Sequence, residues 1–306
     1  MYSESELIRR IRERFGTIRA GIGIGDDAAV VDLPPGFSTV LCSDLLAEGT
    51  HFRRTTHPAP AVAYKAIAVN VSDVGAMGAI PTHFLMSLTV GPDTAPDWID
   101  GFLDGVAQAC AAFDVELVGG DSASSDRIFV DIAMIGRVEQ GAAVRRNGAR
   151  IGDAIYVTGA LGGSGLGLSL LESGLGPGTA HDAIRRHLYP EPRQRVGRKL
   201  AGAATAMIDL SDGLSTDLSR ILSESGVSAR IEADRIPRFE GATLDQALHS
   251  GEDYELLITA GTLDPECDGV PITAIGEIVD GPPGRILMTE GGIEQVLEPR
   301  GWEHFG

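Results

Sequence analysis

Apolar runs in this chain keep breaking off into small residues beside an aspartate. Examples are Gly23-Ile24-Gly25-Asp26-Asp27, Cys42-Ser43-Asp44, Asn70-Val71-Ser72-Asp73, Gly119-Gly120-Asp121 and Ile208-Asp209-Leu210-Ser211-Asp212-Gly213. A carboxylate taken out of water needs a cation or several hydrogen bonds. A fold carrying so many at the ends of hydrophobic segments has to bring those ends to polar surroundings. Hard divalent cations take oxygen ligands, and magnesium combines a few carboxylates with substrate phosphates. The pattern points to metal and phosphate held together.

The remaining composition narrows the class. With 306 residues, 43% of them hydrophobic, the chain is long enough for two domains with cores of their own. Its formal net charge of −18 opposes binding to nucleic acid or an anionic membrane, and cations at the aspartates would let such a surface accept a phosphorylated ligand. Cys42, Cys110 and Cys267 are odd in number and far apart, with no Cys-x-x-Cys spacing, which fits a reducing cytoplasm and not structural zinc. The polar start Met1 to Glu6 reads as no signal peptide, and no apolar run is long enough to span a bilayer.

Periodicity gives the elements. Ser3 with Glu6 is a capping-box pattern, followed by Leu7, Ile8, Ile11 and Phe15 at helical spacing. Ala28 to Val31 reads as a strand, and Thr39 to Cys42 as a second one delivering Ser43 and Asp44 at its end. The alanine-rich stretch 59–77 predicts a helix with Asn70 and Asp73 on one face. A strand over 83–90, a helix over 96–113, a strand over 115–118 that ends in Gly119-Gly120-Asp121, and a strand over 127–138 complete a first domain, residues 1–138. The polar stretch 139–150 opens the second, 139–306. There the spacing predicts strands at 153–159, 204–208, 252–258, 272–278 and 285–289. A helix is expected to be entered from the glycine run 162–167, and others at 193–203 and 214–223. Strands in pairs between helices favour an α+β arrangement.

Each motif also has an ordinary explanation. Asp212 can be an N-cap, which leaves Asp209 without a reason. His51 can be a surface histidine, Arg146 beside Arg145 a solvated linker residue, and Trp302 an aromatic that pins the tail to the core. The glycine run 162–167 could cradle phosphate at a helix start, but glycine turns before helices are common. No P-loop, protein-kinase signature or Ser-His-Asp order is present. What carries weight is that the same excuse must be repeated at every aspartate.

Taken together and in order, the motifs resemble the thiamine-monophosphate kinase family. The match runs nearly end to end through Gly25-Asp26-Asp27-Ala28-Ala29, Ser43-Asp44 with His51-Phe52, Tyr64 to Asp73, Gly119-Gly120-Asp121, Ile208 to Leu214 and Gly251-Glu252-Asp253-Tyr254-Glu255-Leu256. The resemblance implies the two-domain α+β fold of aminoimidazole ribonucleotide synthetases, with N-terminal sheets pairing across a homodimer. It implies transfer of phosphate from ATP to thiamine monophosphate, giving thiamine diphosphate. Carried over, Asp27, Asp44, Asp73, Asp121, Asp209 and Asp212 would bind several magnesium ions, with Cys42 and Ser43 in the same shell. Gly120, Asp121, Arg146 and Ser211 would contact ATP, and His51, Glu252 and Trp302 the substrate.

Two departures stand out. Cys42 occupies a place where the family often has serine, and a thiol is a soft ligand for magnesium. The family's tyrosine near the nucleotide is missing, leaving Phe113 for adenine stacking.

The nucleophile in such a reaction is a phosphate oxygen, ionised near neutral pH, so no general base is required. Asp73, Asp121 and Asp209 would act by positioning and charge neutralisation in a direct in-line transfer. Two other readings predict different outcomes. A superfamily relative with another acceptor would turn over ATP without making thiamine diphosphate. A non-catalytic acidic metal-binding protein would show metal-dependent melting without turnover. Selenophosphate synthetases need a reactive cysteine near the start and hydrogenase-maturation proteins end in one, whereas this chain ends His304-Phe305-Gly306.

Overall fold

A computed structural model of the chain describes residues 4–16, 28–29 and 31–302. Asp26 and Asp27 of the first aspartate motif, and Ser3 of the capping box, lie outside the described residues. The chain forms two compact units, one of residues up to Val74 with Ile80–Gly141, the other of Gly75–Ala79 with Ala142 onward.

The first unit contains α1 (Glu4–Phe15), β1 (Phe37–Ala47), α2 (Ala59–Ala76), β2 (Ile80–Val90), α3 (Pro96–Phe113), β3 (Glu116–Ser124) and β4 (Phe129–Glu139). Its sheet runs β1-β4-β2-β3, antiparallel except for the parallel pair β2 and β3. Along β4 buried and half-buried residues alternate without a break, the signature of a sheet covered on one face. That inner face meets α2, an alanine-rich helix buried nearly all round, Lys65 included. Pro60 in the first turn of α2 and Pro96 at the start of α3 sit where a missing N–H costs nothing.

The sequence places two strand ends too early. Ser43 and Asp44 lie inside β1, and Gly119, Gly120 and Asp121 lie inside β3. The strand expected over 28–31 does not form at its described residues Ala28, Ala29 and Val31.

The second unit contains β5 (Ala154–Thr158), α4 (Gly163–Glu172), α5 (Asp182–Leu188), α6 (Gln194–Leu200), β6 (Ala204–Asp209), α7 (Leu214–Ser225), β7 (Ser228–Glu232), α8 (Leu244–His249), β8 (Leu256–Ala260), β9 (Glu266–Cys267), β10 (Val270–Val279), β11 (Ile286–Glu290) and β12 (Ile293–Leu297). The strands order as β12-β11-β7-β10-β5-β8-β6, with β9 beside β10. Both faces are covered. Leu257 of β8 joins Leu218, Ile221 and Leu222 of α7, while Leu256 and Ile258 join Val196 of α6. This is why β8 reads as an unbroken apolar run and is buried at every residue.

Candidate functional site

In the first unit, strand alternation sorts the expected residues onto two faces. Cys42 and Asp44 face α2, where Asn70 is fully buried. The Asp44 amide donates to Asn70 Oδ1 at 3.1 Å, and Cys42 Sγ lies 3.5 Å from the Asn70 carbonyl. Asn70 Nδ2 donates back to Ala66 O within the helix at 3.0 Å. Asn70 thus ties β1 to the helix that carries Asp73, three residues on and half-buried. The sequence signal for Asn70 was its shared face with Asp73.

Ser43 points the other way, and its hydroxyl donates to Asp131 Oδ1 at 2.9 Å. Asp121 is exposed and in register with Ser87, which is in turn in register with Asp131. Asp121 therefore stands on the sheet face away from α2, with Ser43 and Asp131, and not beside Asp44. Asp131 was not singled out in the sequence. Gly120 has φ +153°, and a Cβ there would lie 1.9 Å from Met86 O. Only glycine fits between β3 and β2 at that point. Phe113 is packed against Tyr64, ring centroids 5.1 Å apart, and is nearly buried, so it offers no open face for an adenine.

His51 lies in the turn after β1, and its Nδ1 accepts the Ala47 N–H at 2.9 Å. A backbone amide can only donate, so in the neutral ring the proton sits on Nε2.

In the second unit, main-chain hydrogen bonds gather several expected residues. Glu252 N donates to Ser211 O at 2.8 Å, Tyr254 N to Leu210 O at 3.0 Å, and Trp302 N to Asp212 O at 3.2 Å. Asp209, Ser211, Asp212, Glu252 and Trp302 therefore belong to three adjoining chain segments. Glu252 and Tyr254 both have positive φ, +67° and +51°, a conformation that costs free energy and persists only where surroundings enforce it. Glu252 Oε2 lies 3.4 Å from His187 Nδ1, which is also 2.9 Å from Ser164 Oγ. Arg146 is exposed, and its carbonyl accepts from Ser225 Oγ at 3.0 Å.

The structure removes one ordinary explanation. The N-cap of α7 is Gly213, with no side-chain cap. Asp212 instead pairs with Arg220 at 2.5 Å. The loop before α7 is held by Asp217, whose Oδ2 accepts from the amides of Asp212 and Gly213 at 3.0 and 3.1 Å. Burial and the nearby Asp209 charge push the Asp217 carboxyl up to about 7, against the pull of those amides and Arg220.

The glycine run is likewise explained without phosphate. Asp253 accepts from Gly162 N at 2.6 Å and Ser164 N at 3.0 Å, taking donors at the start of α4. Burial raises Asp253 to about 6 in spite of those bonds. Beside it Glu255 is fully buried between Arg186, Arg193 and Thr158 Oγ1. Burial opposes its charge, but the Arg193 and Arg186 guanidiniums hold the carboxyl below the usual range.

Among the described residues no three acidic, histidine or cysteine side chains converge into a ready-made ion cage. The donors on offer are nonetheless hard oxygens, the type magnesium takes alongside phosphate.

Comparison with known proteins follows the same division. Residues 25–138 match the model of the AIR synthase related protein N-terminal domain, and 150–288 that of its C-terminal domain. A thiamine-monophosphate kinase of Salmonella typhimurium is 37% identical over 99% of this chain and 98% of its own length. The crystal structure of a thiamine-monophosphate kinase from Stenotrophomonas maltophilia superposes with a TM-score of 0.82 at 35% identity, covering 92% of this chain and 95% of that one. A structure of AaThiL complexed with AMPPCP and TMP superposes with a TM-score of 0.81 at 33% identity, covering 99% and 97%.

Proposed function

Since the chain belongs to the thiamine-monophosphate kinase family, among the AIR synthase related proteins, we propose that it transfers phosphate from ATP to thiamine monophosphate, forming thiamine diphosphate. Similarity along the whole chain to enzymes of that name carries the reading. The gathering of Asp209, Ser211, Asp212, Glu252 and Trp302 by main-chain bonds supports it.

The acceptor oxygen belongs to a phosphate and needs no base, so this chain's residues bind, orient and neutralise. His51 contacts the substrate. Glu252 and Trp302 contact the thiamine portion, the indole against an aromatic ring. Gly120, Asp121, Arg146 and Ser211 contact ATP. Asp27, Asp44, Asp73, Asp121, Asp209 and Asp212 would hold magnesium, with Ser43 and the main-chain carbonyl of Cys42 in the same shell. When bound, magnesium would neutralise the phosphates of the two substrates. Asp44 and Asp121 occupy opposite faces of one sheet, which favours several ions over one shared ion.

Residues 1–138 serve as the nucleotide, metal and dimerisation part, and 139–306 as the part that completes the site. The protein acts as a homodimer in the cytoplasm. Among the described residues no helix is long and apolar enough to cross a membrane. For the dimer, the outer sheet face supports the reading: Leu41, Leu45 and Leu85 are 71%, 47% and 39% exposed, and Ile135 is paired with Leu41.

The deciding assay mixes protein, ATP, magnesium and thiamine monophosphate and looks for thiamine diphosphate by chromatography, with free thiamine as control acceptor. Product from the monophosphate alone is expected, abolished by chelation. ATP turnover without thiamine diphosphate would move the chain to another acceptor. Asp73→Asn should lower turnover at least about a hundredfold with the fold intact. A near-normal rate at saturating magnesium removes Asp73 from the ligand set.

A further inference from the structure

The last described residues run along the start of α7 in no regular element. What holds them is a set of polar side chains that the proposed reaction does not use. Gly301 N donates to Thr216 Oγ1 at 2.9 Å and Arg300 N to Ser215 Oγ at 3.3 Å. The Arg300 guanidinium reaches α8, where Nη2 lies 2.7 Å from His249 Nε2 and 3.1 Å from Asp245 Oδ1. His249 Nδ1 in turn lies 2.8 Å from Ser215 Oγ.

Proton positions follow from the chemistry of the donors. A guanidinium only donates, so His249 Nε2 must be the acceptor. The neutral ring then carries its proton on Nδ1 and donates it to Ser215 Oγ, the same oxygen that accepts the Arg300 amide. Arg300 is gripped by its main chain and its side chain at the two ends of one Ser215–His249 relay. Gly301 fits so closely that a Cβ would lie 2.0 Å from Asp212 O. Each of these bonds is polar or main-chain, and Trp302 is 52% exposed.

We propose that Arg300 and His249 are positioning residues for substrate recognition: through Ser215 and Thr216 they fix residues 300–302 to α7, and so fix where the Trp302 indole stands. The inference rests on the reading that Trp302 meets the aromatic part of thiamine monophosphate. An aromatic side chain ordered beforehand loses less freedom when its ligand arrives, which appears as affinity.

The test uses the full-length protein with Trp98→Phe, so that Trp302 is the sole tryptophan. Acrylamide quenching then reports its exposure. Arg300→Ala and His249→Ala should each increase quenching. Each should raise the KM for thiamine monophosphate roughly three- to tenfold, with kcat and the KM for ATP nearly unchanged. In a Trp302→Ala background Arg300→Ala should add nothing further. Arg300→Lys, which still donates to His249 and pairs with Asp245, should recover part of the loss. If Arg300→Ala fails to fold, Arg300→Gln and His249→Ala are read the same way. Unchanged quenching, an equal rise in the KM for ATP, or additivity with Trp302→Ala overturns the positioning role. If Trp302→Ala itself leaves the KM for thiamine monophosphate unchanged, the substrate reading of Trp302 fails and the recognition role falls with it, whatever quenching reports.

Discussion

Asp217 acts on the α7 loop through the backbone. Its fully buried carboxylate accepts two amides and pairs with Arg220 at 2.7 Å, while the same Arg220 reaches Asp212. Removing the carboxylate leaves the two amides unsatisfied and a half-buried guanidinium with one partner fewer. Asp217→Ala should therefore destabilise the chain by roughly 2–5 kcal/mol, read from the midpoint of urea unfolding. A loss under about half a kcal/mol, the level of an ordinary surface substitution, would mean that the loop is held by other contacts. His249 supplies a pH effect. Burial and the Arg300 guanidinium lower its pKa from the ordinary 6.5, and Asp245 pulls the other way. The unfolded chain then binds the proton more readily than the folded one. The tie is fully present above pH 6.5 and weakens as pH falls toward the lowered folded value. Trp302 quenching in the Trp98→Phe protein should accordingly rise on acidification below that point. The His249→Gln protein should lack the pH-dependent step, and a step of equal size in it would assign the titration to another group.

At the level of elements, the sequence was most legible where a period ran unbroken. The helices expected over 59–77 and 96–113 form as Ala59–Ala76 and Pro96–Phe113, because alanine-rich or Pro-started amphipathic runs have few competitors. Strands read from apolarity alone stopped short at Asp44 and Asp121. On the open face Ser43 and Asp121 do not end the ladder, and Asp44 continues it on the α2 face, in register with Ile132. The helix α8 went unread although Thr243 and Gln246 spell a capping box, which the structure forms in full. Of the candidate residues, the aspartates stand out locally as misfits in apolar runs and Asn70 by its shared helix face with Asp73. Asp131, which meets Ser43 across the first sheet, and Asp217, which holds the loop before α7 in the second unit, are placed by register and packing that no local window contains. Gly120 belongs to both accounts, read as a nucleotide contact and placed where β3 passes β2. Gly120→Ala should lower the melting temperature by several degrees, because the Met86 carbonyl has to move and φ +153° suits glycine alone. Unchanged melting with weaker ATP binding would make its role purely one of contact.

For the whole molecule, association has to overcome charge. Each chain carries −18, so two copies repel one another at long range. In the proposed homodimer the outer face of the first sheet would oppose that, where Leu41 and Leu45 of β1 share one face with Ile135 of β4 and Leu85 of β2, Leu41 in register with Ile135. Burying a leucine of this kind stabilises by about 1.5–3 kcal/mol, and in the proposed dimer several from each copy would act against the screened repulsion. Because Leu41 is 71% exposed in the single chain, replacing it does not open that chain's core. Leu41→Asp should leave circular dichroism and the monomer's own unfolding unchanged, yet shift sedimentation from dimer to monomer at micromolar concentration. Wild-type dimerisation should tighten as salt is raised from low ionic strength, since screening removes the repulsion and leaves the apolar term. A variant that still sediments as a dimer would move the interface off this face. Weakening with salt would mean that ion pairs, and not leucines, hold the copies together.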